Sequence, residues 1–365
     1  MPIEVRVAGG LAELPQLAPA WRELCDHSGL SPFMSPEWVS AHVRTFENPA
    51  QLRLLVAHQA GRLLGVLPLI AERAWFRGVY VRRLRAAANH HTLRFDFICS
   101  TGAAREPVAT AMWRFLARDR GWSYLELRDT PPGGGAEALL HAAARDGCHV
   151  VRRSSPIETR ALPLLATPNS TVPPGFEQTS RKFRAELRRT RRRLQALGPL
   201  QLTSTTAALA ADLDDFFRLE ASGWKGRPGG NAILRKPAPV RRFYEELART
   251  TAGTGAFIMH RLRLGDETIA MSYGLRGPDS FYPMRWCYDE RFAASGPGHL
   301  LIEEILNACV AERKVLFAFT GEPFEYERKW SASGTPHVFL SAFPNTLGGR
   351  LLHTLKRARP PRRTP

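Results

Sequence analysis

One stretch constrains the fold of this chain more than any other, residues 281–320, FYPMRWCYDE RFAASGPGHL LIEEILNACV AERKVLFAFT. It opens on aromatic and apolar residues from Phe281 to Tyr288, the composition of a strand. A loop of small residues follows, Ala293-Ala294-Ser295-Gly296-Pro297-Gly298. From His299 to about Arg313, Leu300, Leu301, Ile305, Leu306, Cys309 and Val310 recur at helical spacing. A second apolar strand is expected over 315–319. Strand, glycine loop, helix and strand place unpaired backbone N–H groups and the positive end of a helix dipole at the loop. That arrangement suits a phosphate or pyrophosphate, and an ordinary turn is the competing reading.

With 365 residues the chain is long enough for two domains, each with a core of its own. Its longest apolar run, 63–71, is too short to span a bilayer, and residues 1–10 lack a charged-then-apolar leader pattern. A cytoplasmic protein is expected. Cys25, Cys99, Cys148, Cys287 and Cys309 are odd in number, widely spaced and without a C-x-x-C pair. Neither a disulfide framework nor a zinc cluster fits them. His90-His91 with Asp96 nearby is metal-like only in composition, since a third ligand and an i, i+4 spacing are missing; no metal is expected. The net charge of +17 favours anionic partners: nucleotides, coenzyme A phosphates, RNA, acidic glycans or lipids.

In the first half, strands are expected at 3–7, 52–58, 63–70, 79–84, 95–99, 123–127 and 149–153. Helices are expected at 11–26, from Ser35-Pro36-Glu37, at 105–118, and after the Pro131–Gly135 breaker. This reads as an α/β domain with an antiparallel-rich sheet. A Pro/Ser/Thr-rich connector follows at 166–175. Next comes a basic helix, 180–194, with Phe183, Leu187, Leu194 and Leu197 on one stripe. Arg181, Lys182, Arg184, Arg188, Arg189, Arg191, Arg192 and Arg193 cover much of the rest. A solvated face, a phosphate clamp, and an RNA or anionic membrane-surface contact are the three readings open to it. A strand at 200–203 and helices at 208–222 and 240–250 flank the glycine-rich basic loop 224–230. Three strands at 256–264, 268–276 and 281–288, with Gly265-Asp266 and Gly277-Pro278-Asp279 as turns, form an antiparallel meander. A short helix within 321–330 and a strand at 337–343 close the second half. The basic tail, 348–365, is expected to be partly disordered.

Helix, meander, glycine loop, helix, strand, helix, strand resembles the catalytic core of the GNAT acyltransferase superfamily. The stretches 219–227 (LEASGWKGR), 288–292 (YDERF), 295–298 (SGPG) and 321–330 resemble the CelD/BcsL-type acetyltransferases, relatives of the FemABX aminoacyl transferases. The resemblance covers 180–343 well and the first half in outline. It implies an α/β (α+β) fold of two tandem GNAT-like domains, each a mixed, mostly antiparallel sheet flanked by helices. The expected division is 1–165, 166–347 and the tail 348–365.

The implied reaction moves an acetyl or other acyl group from acyl-CoA, the co-substrate, to an amine or hydroxyl of a sugar, polysaccharide precursor or small metabolite. Trp286, Cys287 and Tyr288 would lie beside the pantetheine arm. Ser295, Gly296, Gly298 and His299 would offer backbone N–H groups to the pyrophosphate. Glu322 or Glu325 would serve as base and Tyr326 as acid for the leaving thiolate. Arg285 and Asp289 would orient the acceptor, and Trp224, Lys225 and Arg227 would close over it. The chain has Ala318 where the family often has aspartate, and Glu327 after Tyr326 where lysine is frequent. Two alternatives remain: a FemABX-like transfer from aminoacyl-tRNA, and a non-catalytic module binding RNA or an anionic surface. Hydrolase elbows, H-E-x-x-H, Walker loops and dinucleotide fingerprints do not occur.

Overall fold

The computed structural model describes residues 1–27, 32–76, 78–119, 121–166, 170–331 and 334–358. Parts of the expected connector (167–169) and tail (359–365) lie outside these. The chain divides into two compact units, Met1–Ile157 together with the chain from Thr335 onward, and Glu158–Gly334. The boundary falls inside one strand, His149–Pro163. The strand expected to close the second half, Thr335–Phe343, pairs antiparallel with Tyr124–Thr130 and so belongs to the first unit.

In the first unit the strands run in the order Glu4–Val7, Leu52–Gln59, Arg62–Phe76, Val79–Ala86, Tyr124–Thr130, Thr335–Phe343. Neighbours are antiparallel except Val79–Ala86 with Tyr124–Thr130, which run parallel. Helices are placed by their caps. Ser35 Oγ accepts from Trp38 N at 3.1 Å, and Pro36 occupies the first turn, where its missing N–H is harmless. Trp21, Trp38 and Trp113 are fully buried, and the Trp21 indole N–H donates to Met34 O at 3.0 Å. Of the strand expected at 95–99, only Ile98–Cys99 forms ladder pairs; Phe95 N donates to Asp129 O at 3.1 Å, and Asp96 has another task. Its carboxylate, fully enclosed, accepts from Phe97 N and Ala136 N at 2.8 Å and from Gly135 N at 3.3 Å. It thereby caps the helix Gly135–Arg145. Burial pushes its carboxyl up to about 6, and the same N–H groups oppose that. A Cβ on Gly135 would stand 2.1 Å from Phe97 O, so this contact admits only glycine.

The tail is ordered as far as it is described. Leu347–Arg357 is a helix, started by Thr346 accepting from Gly349 N at 3.0 Å. Leu352 anchors it to Val81, Tyr124, Val151 and Phe343. Within the tail expected to be partly disordered, 347–357 is thus a capped amphipathic helix with a buried foot, and the tail's proline-rich end lies outside the described residues.

In the second unit the order is the end of His149–Pro163, Leu316–Gly321, Ser280–Tyr288, Glu267–Arg276, Phe257–Leu264, Leu200–Thr205. The expected meander is present, and only Ser280–Tyr288 with Leu316–Gly321 is parallel. The core lies between this sheet and the helices Arg181–Gln195 and Pro297–Ala311, with Leu187, Leu194, Leu301 and Leu306 among its buried members. Each unit is therefore a mixed, mostly antiparallel sheet flanked by helices. No helix among the described residues is long and apolar enough to cross a membrane.

Replacing Asp96 by alanine would strand three buried N–H donors. We expect Asp96→Ala to lower stability by about 2–3 kcal/mol in urea unfolding, against less than about 1 kcal/mol for Asp96→Asn, which keeps an acceptor.

Candidate active site

The site grows from a parting of strands. Ser280–Tyr288 and Leu316–Gly321 pair at Ser280 with Leu316 and at Phe281 with Phe317, and then separate. The former stays bonded to Glu267–Arg276 on its other edge up to Tyr288. Past Phe281, the edge facing Leu316–Gly321 has no strand partner among the described residues. A cavity of about 330 Å³ opens beside it, lined by Trp286, Cys287 and Tyr288.

The glycine loop forms the next wall. Asp289 starts a short 3-10 turn, Glu290–Ser295, by accepting from Arg291 N at 2.9 Å. Gly296 then takes a left-handed conformation, φ 56°, that any side chain would strain. Pro297 begins the helix Pro297–Ala311, two residues before the expected start, as its fixed φ favours. Gly298 lies flat against Tyr288; a Cβ there would stand 3.2 Å from the ring. Two of the loop's N–H groups are turned inward on the loop itself. Gly296 N donates to Ala293 O at 3.0 Å and His299 N to Gly296 O at 3.2 Å. The Gly298 N–H has no backbone partner among the described residues. The basic helix buttresses this wall: Arg193 donates to Ala294 O at 3.1 Å, and Arg191 pairs with Glu303 at 2.7 Å and with Glu304.

His299 also contributes its ring. Its Nδ1 accepts from the Trp330 indole N–H at 3.1 Å, and Phe183 packs edge-on against both rings at 5.1 Å. Burial, then the nearby Lys329, pushes the imidazole down to about 4. It is neutral at pH 7, with its proton on Nε2.

The third wall is the loop after the helix Ala210–Ser222. Glu220, 1% exposed, is its centre. Glu220 binds Arg285 through Nε at 2.7 Å and NH2 at 2.6 Å, and accepts from Ile233 N at 2.8 Å. Arg285 donates onward to Asn231 O at 2.6 Å. A Cβ on Gly226 would lie 1.8 Å from Ala221 O, so the chain doubles back there at a separation that only glycine permits. This turn sets Lys225 against the open strand edge, where its ammonium donates to Trp286 O and lies 5.7 Å from the Trp286 ring centre. Burial lowers the Lys225 pKa, and Glu220, 3.9 Å away, opposes that. Trp224, 40% exposed, lines the mouth.

Tyr326 closes the cavity, with its ring edge-on to Trp286 at 5.4 Å and stacked on Phe324 at 5.4 Å. Burial pushes its phenol well above the ordinary range, and the adjacent Glu327 adds to this, so Tyr326 keeps its proton. Glu327 is buried, 7% exposed, and accepts from Phe324 N at 3.3 Å. Its carboxyl is pushed up to about 7 by burial, partly offset by that N–H and by Arg160.

The cavity thus gathers Trp224, Lys225, Trp286, Cys287, Tyr288, Gly296, Gly298, His299 and Tyr326. Ser295 sits at the end of the 3-10 turn behind it. Five other residues lie apart from the lining. Glu322 and Glu325 are solvent-exposed. Arg227 pairs with Glu290 on the surface. Asp289 is occupied by Arg291. Arg285 is committed to Glu220 and the loop backbone. Cys287 has its thiol pushed well up by burial, which leaves it unreactive. Sequence reasoning passed over Glu220 and noted Glu327 only as a departure from the family's lysine, although both lie inside stretches already singled out by their resemblance.

Residues 181–328 match the family described as an acetyltransferase (GNAT) domain. No curated protein matches the chain in sequence. Among solved structures it resembles FemX, with 9% identity and a TM-score of 0.64 over 96% of this chain and 100% of that one. It also resembles a conserved protein of unknown function from Bacteroides thetaiotaomicron, at 12% and 0.55 over 94% and 100%. A third is the C-terminal domain of a protein designated lysylphosphatidylglycerol synthetase from Agrobacterium fabrum, at 12% and 0.53 over 94% and 96%. At these identities the likeness is one of fold. Residues 181–328 thus match a GNAT acetyltransferase domain, in a chain that shares the fold of FemX.

Proposed function

We propose that the chain transfers an acyl group, acetyl in the simplest case, from acyl-CoA to an amine or hydroxyl of a sugar, polysaccharide precursor or other small metabolite. The carrying observation is the parted strand edge at Trp286–Tyr288, open to a cavity that ends at Tyr326. An extended amide chain such as pantetheine can pair with a free strand edge as another strand would. Its thioester would then lie toward Tyr326. The diphosphate would meet the start of the helix Pro297–Ala311, where the Gly298 N–H and the helix dipole favour negative charge.

The acceptor nitrogen or oxygen attacks the thioester carbonyl carbon, its proton leaves to a base, and the C–S bond breaks to give thiolate. Tyr326, held protonated, donates a hydrogen bond to the departing sulfur. Glu327 supplies what Glu322 and Glu325 do not, a buried carboxyl that changes protonation near neutral pH behind Tyr326. We place it as the group that takes up the acceptor's proton through Tyr326 or water.

One observation favours a second reading, FemABX-like transfer from aminoacyl-tRNA. Arg181, Lys182, Arg188, Arg189 and Arg192 are exposed on the helix Arg181–Gln195 and have no acidic partner among the described residues. Titration calorimetry with acetyl-CoA at low and high salt separates the readings. Saturable binding that survives high salt supports the coenzyme, and its absence shifts the weight to tRNA.

Three outcomes are expected. Gly298→Trp drives a ring into Tyr288 and the cavity, so acetyl-CoA binding is lost while circular dichroism stays unchanged; retained affinity overturns the loop assignment. Tyr326→Phe lowers thiol release from acetyl-CoA by roughly 100-fold with Kd nearly unchanged; an unchanged rate removes Tyr326 from the chemistry. Glu327→Gln tests the buried carboxyl by stability. The raised pKa means that the neutral form's stabilisation, complete below pH about 4.5, is lost as pH rises through about 7. The variant should therefore gain on the wild type by about 2 kcal/mol between pH 5 and pH 8 in thermal unfolding. A constant gap would mean that Glu327 ionises normally.

A further inference from the structure

The hairpin of Arg62–Phe76 and Val79–Ala86 carries two unusual cross-strand pairs near its tip. The register sets Trp75 opposite Tyr80 and Arg73 opposite Arg82. Side chains alternate across a strand, so these four share one face. On the opposite face Phe76 and Val81 pack with Tyr124, Val151, Phe343 and Leu352. Trp75 is 64% exposed and Tyr80 73%, and their rings meet edge to face with centroids 4.7 Å apart. Val79, paired with Phe76 on that opposite face, is also exposed.

The arginines are as anomalous as the rings. Nearby Arg83 is paired with Glu72 and Glu126, and Arg85 with Glu47 and Glu72. Arg73 and Arg82 are exposed and have no acidic partner among the described residues. Like charges directly opposite on a sheet are destabilising, and a bound anion would relieve them. The two line a hollow of about 370 Å³ whose carboxylates, Glu72 and Asp119, are already taken by Arg83 and Arg53.

We propose that this hairpin docks the first unit on an anionic lipid bilayer. Trp75 and Tyr80 sit at the headgroup level, where amphipathic rings settle, and Arg73 and Arg82 bind lipid phosphates. RNA fits less well, because bases need free ring faces, whereas Trp75 and Tyr80 pack against each other. A second copy of the chain would bring a like charge of +17 against the patch.

The test is co-sedimentation of the full chain with vesicles of phosphatidylcholine alone and of phosphatidylcholine with phosphatidylglycerol. Binding only to the anionic vesicles is expected. Arg73→Gln and Arg82→Gln should each weaken it about fivefold. Trp75→Ser with Tyr80→Ser should weaken it at least about tenfold and remove a blue shift in tryptophan emission. All four residues are exposed, and unchanged acetyl-CoA binding and circular dichroism confirm that the variants fold. Substituting Arg188, Arg189 and Arg192 by glutamine is the control for general charge and should leave most of the binding. The proposal is overturned if wild type ignores anionic vesicles, if hairpin variants bind as wild type does, or if only the control loses binding. Hairpin-dependent binding of a single-stranded RNA without vesicle binding, or hairpin-dependent dimerisation in sedimentation velocity, would overturn it too.

Discussion

The ion pair between Glu220 and Arg285 organises the candidate site. Both charges are largely withdrawn from water, which is unfavourable unless nearly every lone pair and N–H finds a partner. Here they do: the carboxylate also takes the Ile233 N–H, and the guanidinium also reaches Asn231 O and covers the Tyr244 ring. These bonds tie the helix Ala210–Ser222, the loop after it and the strand Ser280–Tyr288 to one point. Trp224 and Lys225 then project from a turn whose path is set from within. The pair matters less for net stability than for giving a glycine-rich loop one conformation.

The two other walls follow the same logic of support from behind. The left-handed Gly296 and the helix start at Pro297 are braced by Arg193 on Ala294 O and by Arg191 on Glu303. The basic helix, which in sequence looks like a free polycation, spends part of its charge on the glycine loop. Its remaining cations stay on the surface. His299 is held by Trp330 from one side and Phe183 from another, which fixes its tautomer. Tyr326 is clasped between Trp286 and Phe324, with a buried carboxylic acid next in the chain. Around the Glu220–Arg285 pair, rigid aromatic packing completes the shape of this cavity.

What could be read from sequence was whatever depends on neighbours along the chain. Turns at Gly265 and Gly277 announced the meander, Ser35-Pro36 announced a helix start, and the apolar period of 300–310 announced the helix after the glycine loop. What could not be read depends on distant partners. Glu220 and Arg285 stand 65 positions apart, and no local pattern marks the pair. Glu327 is chemically like Glu322 and Glu325 in sequence, and only burial separates them. The helix Leu347–Arg357 was hidden by Gly348-Gly349, poor helix formers. Yet a Cβ on Gly349 would lie 2.0 Å from Pro344 O, so a tight approach requires the residue that argued against the helix. The strand His149–Pro163 runs well past its expected end because its second part pairs with Leu316–Gly321, far along the chain.

The ammonium of Lys225 on Trp286 O acts as an internal placeholder. The carbonyl it occupies lies on a strand edge with no strand beside it among the described residues, so a backbone-like guest there would compete with the protein's own side chain for it. Measured affinity would then report a difference between two hydrogen bonds rather than the strength of one. Each arrival would also set free a cation whose burial has already weakened its hold on its proton. Occupancy of the cleft and the charge state of one lysine would then be parts of a single equilibrium.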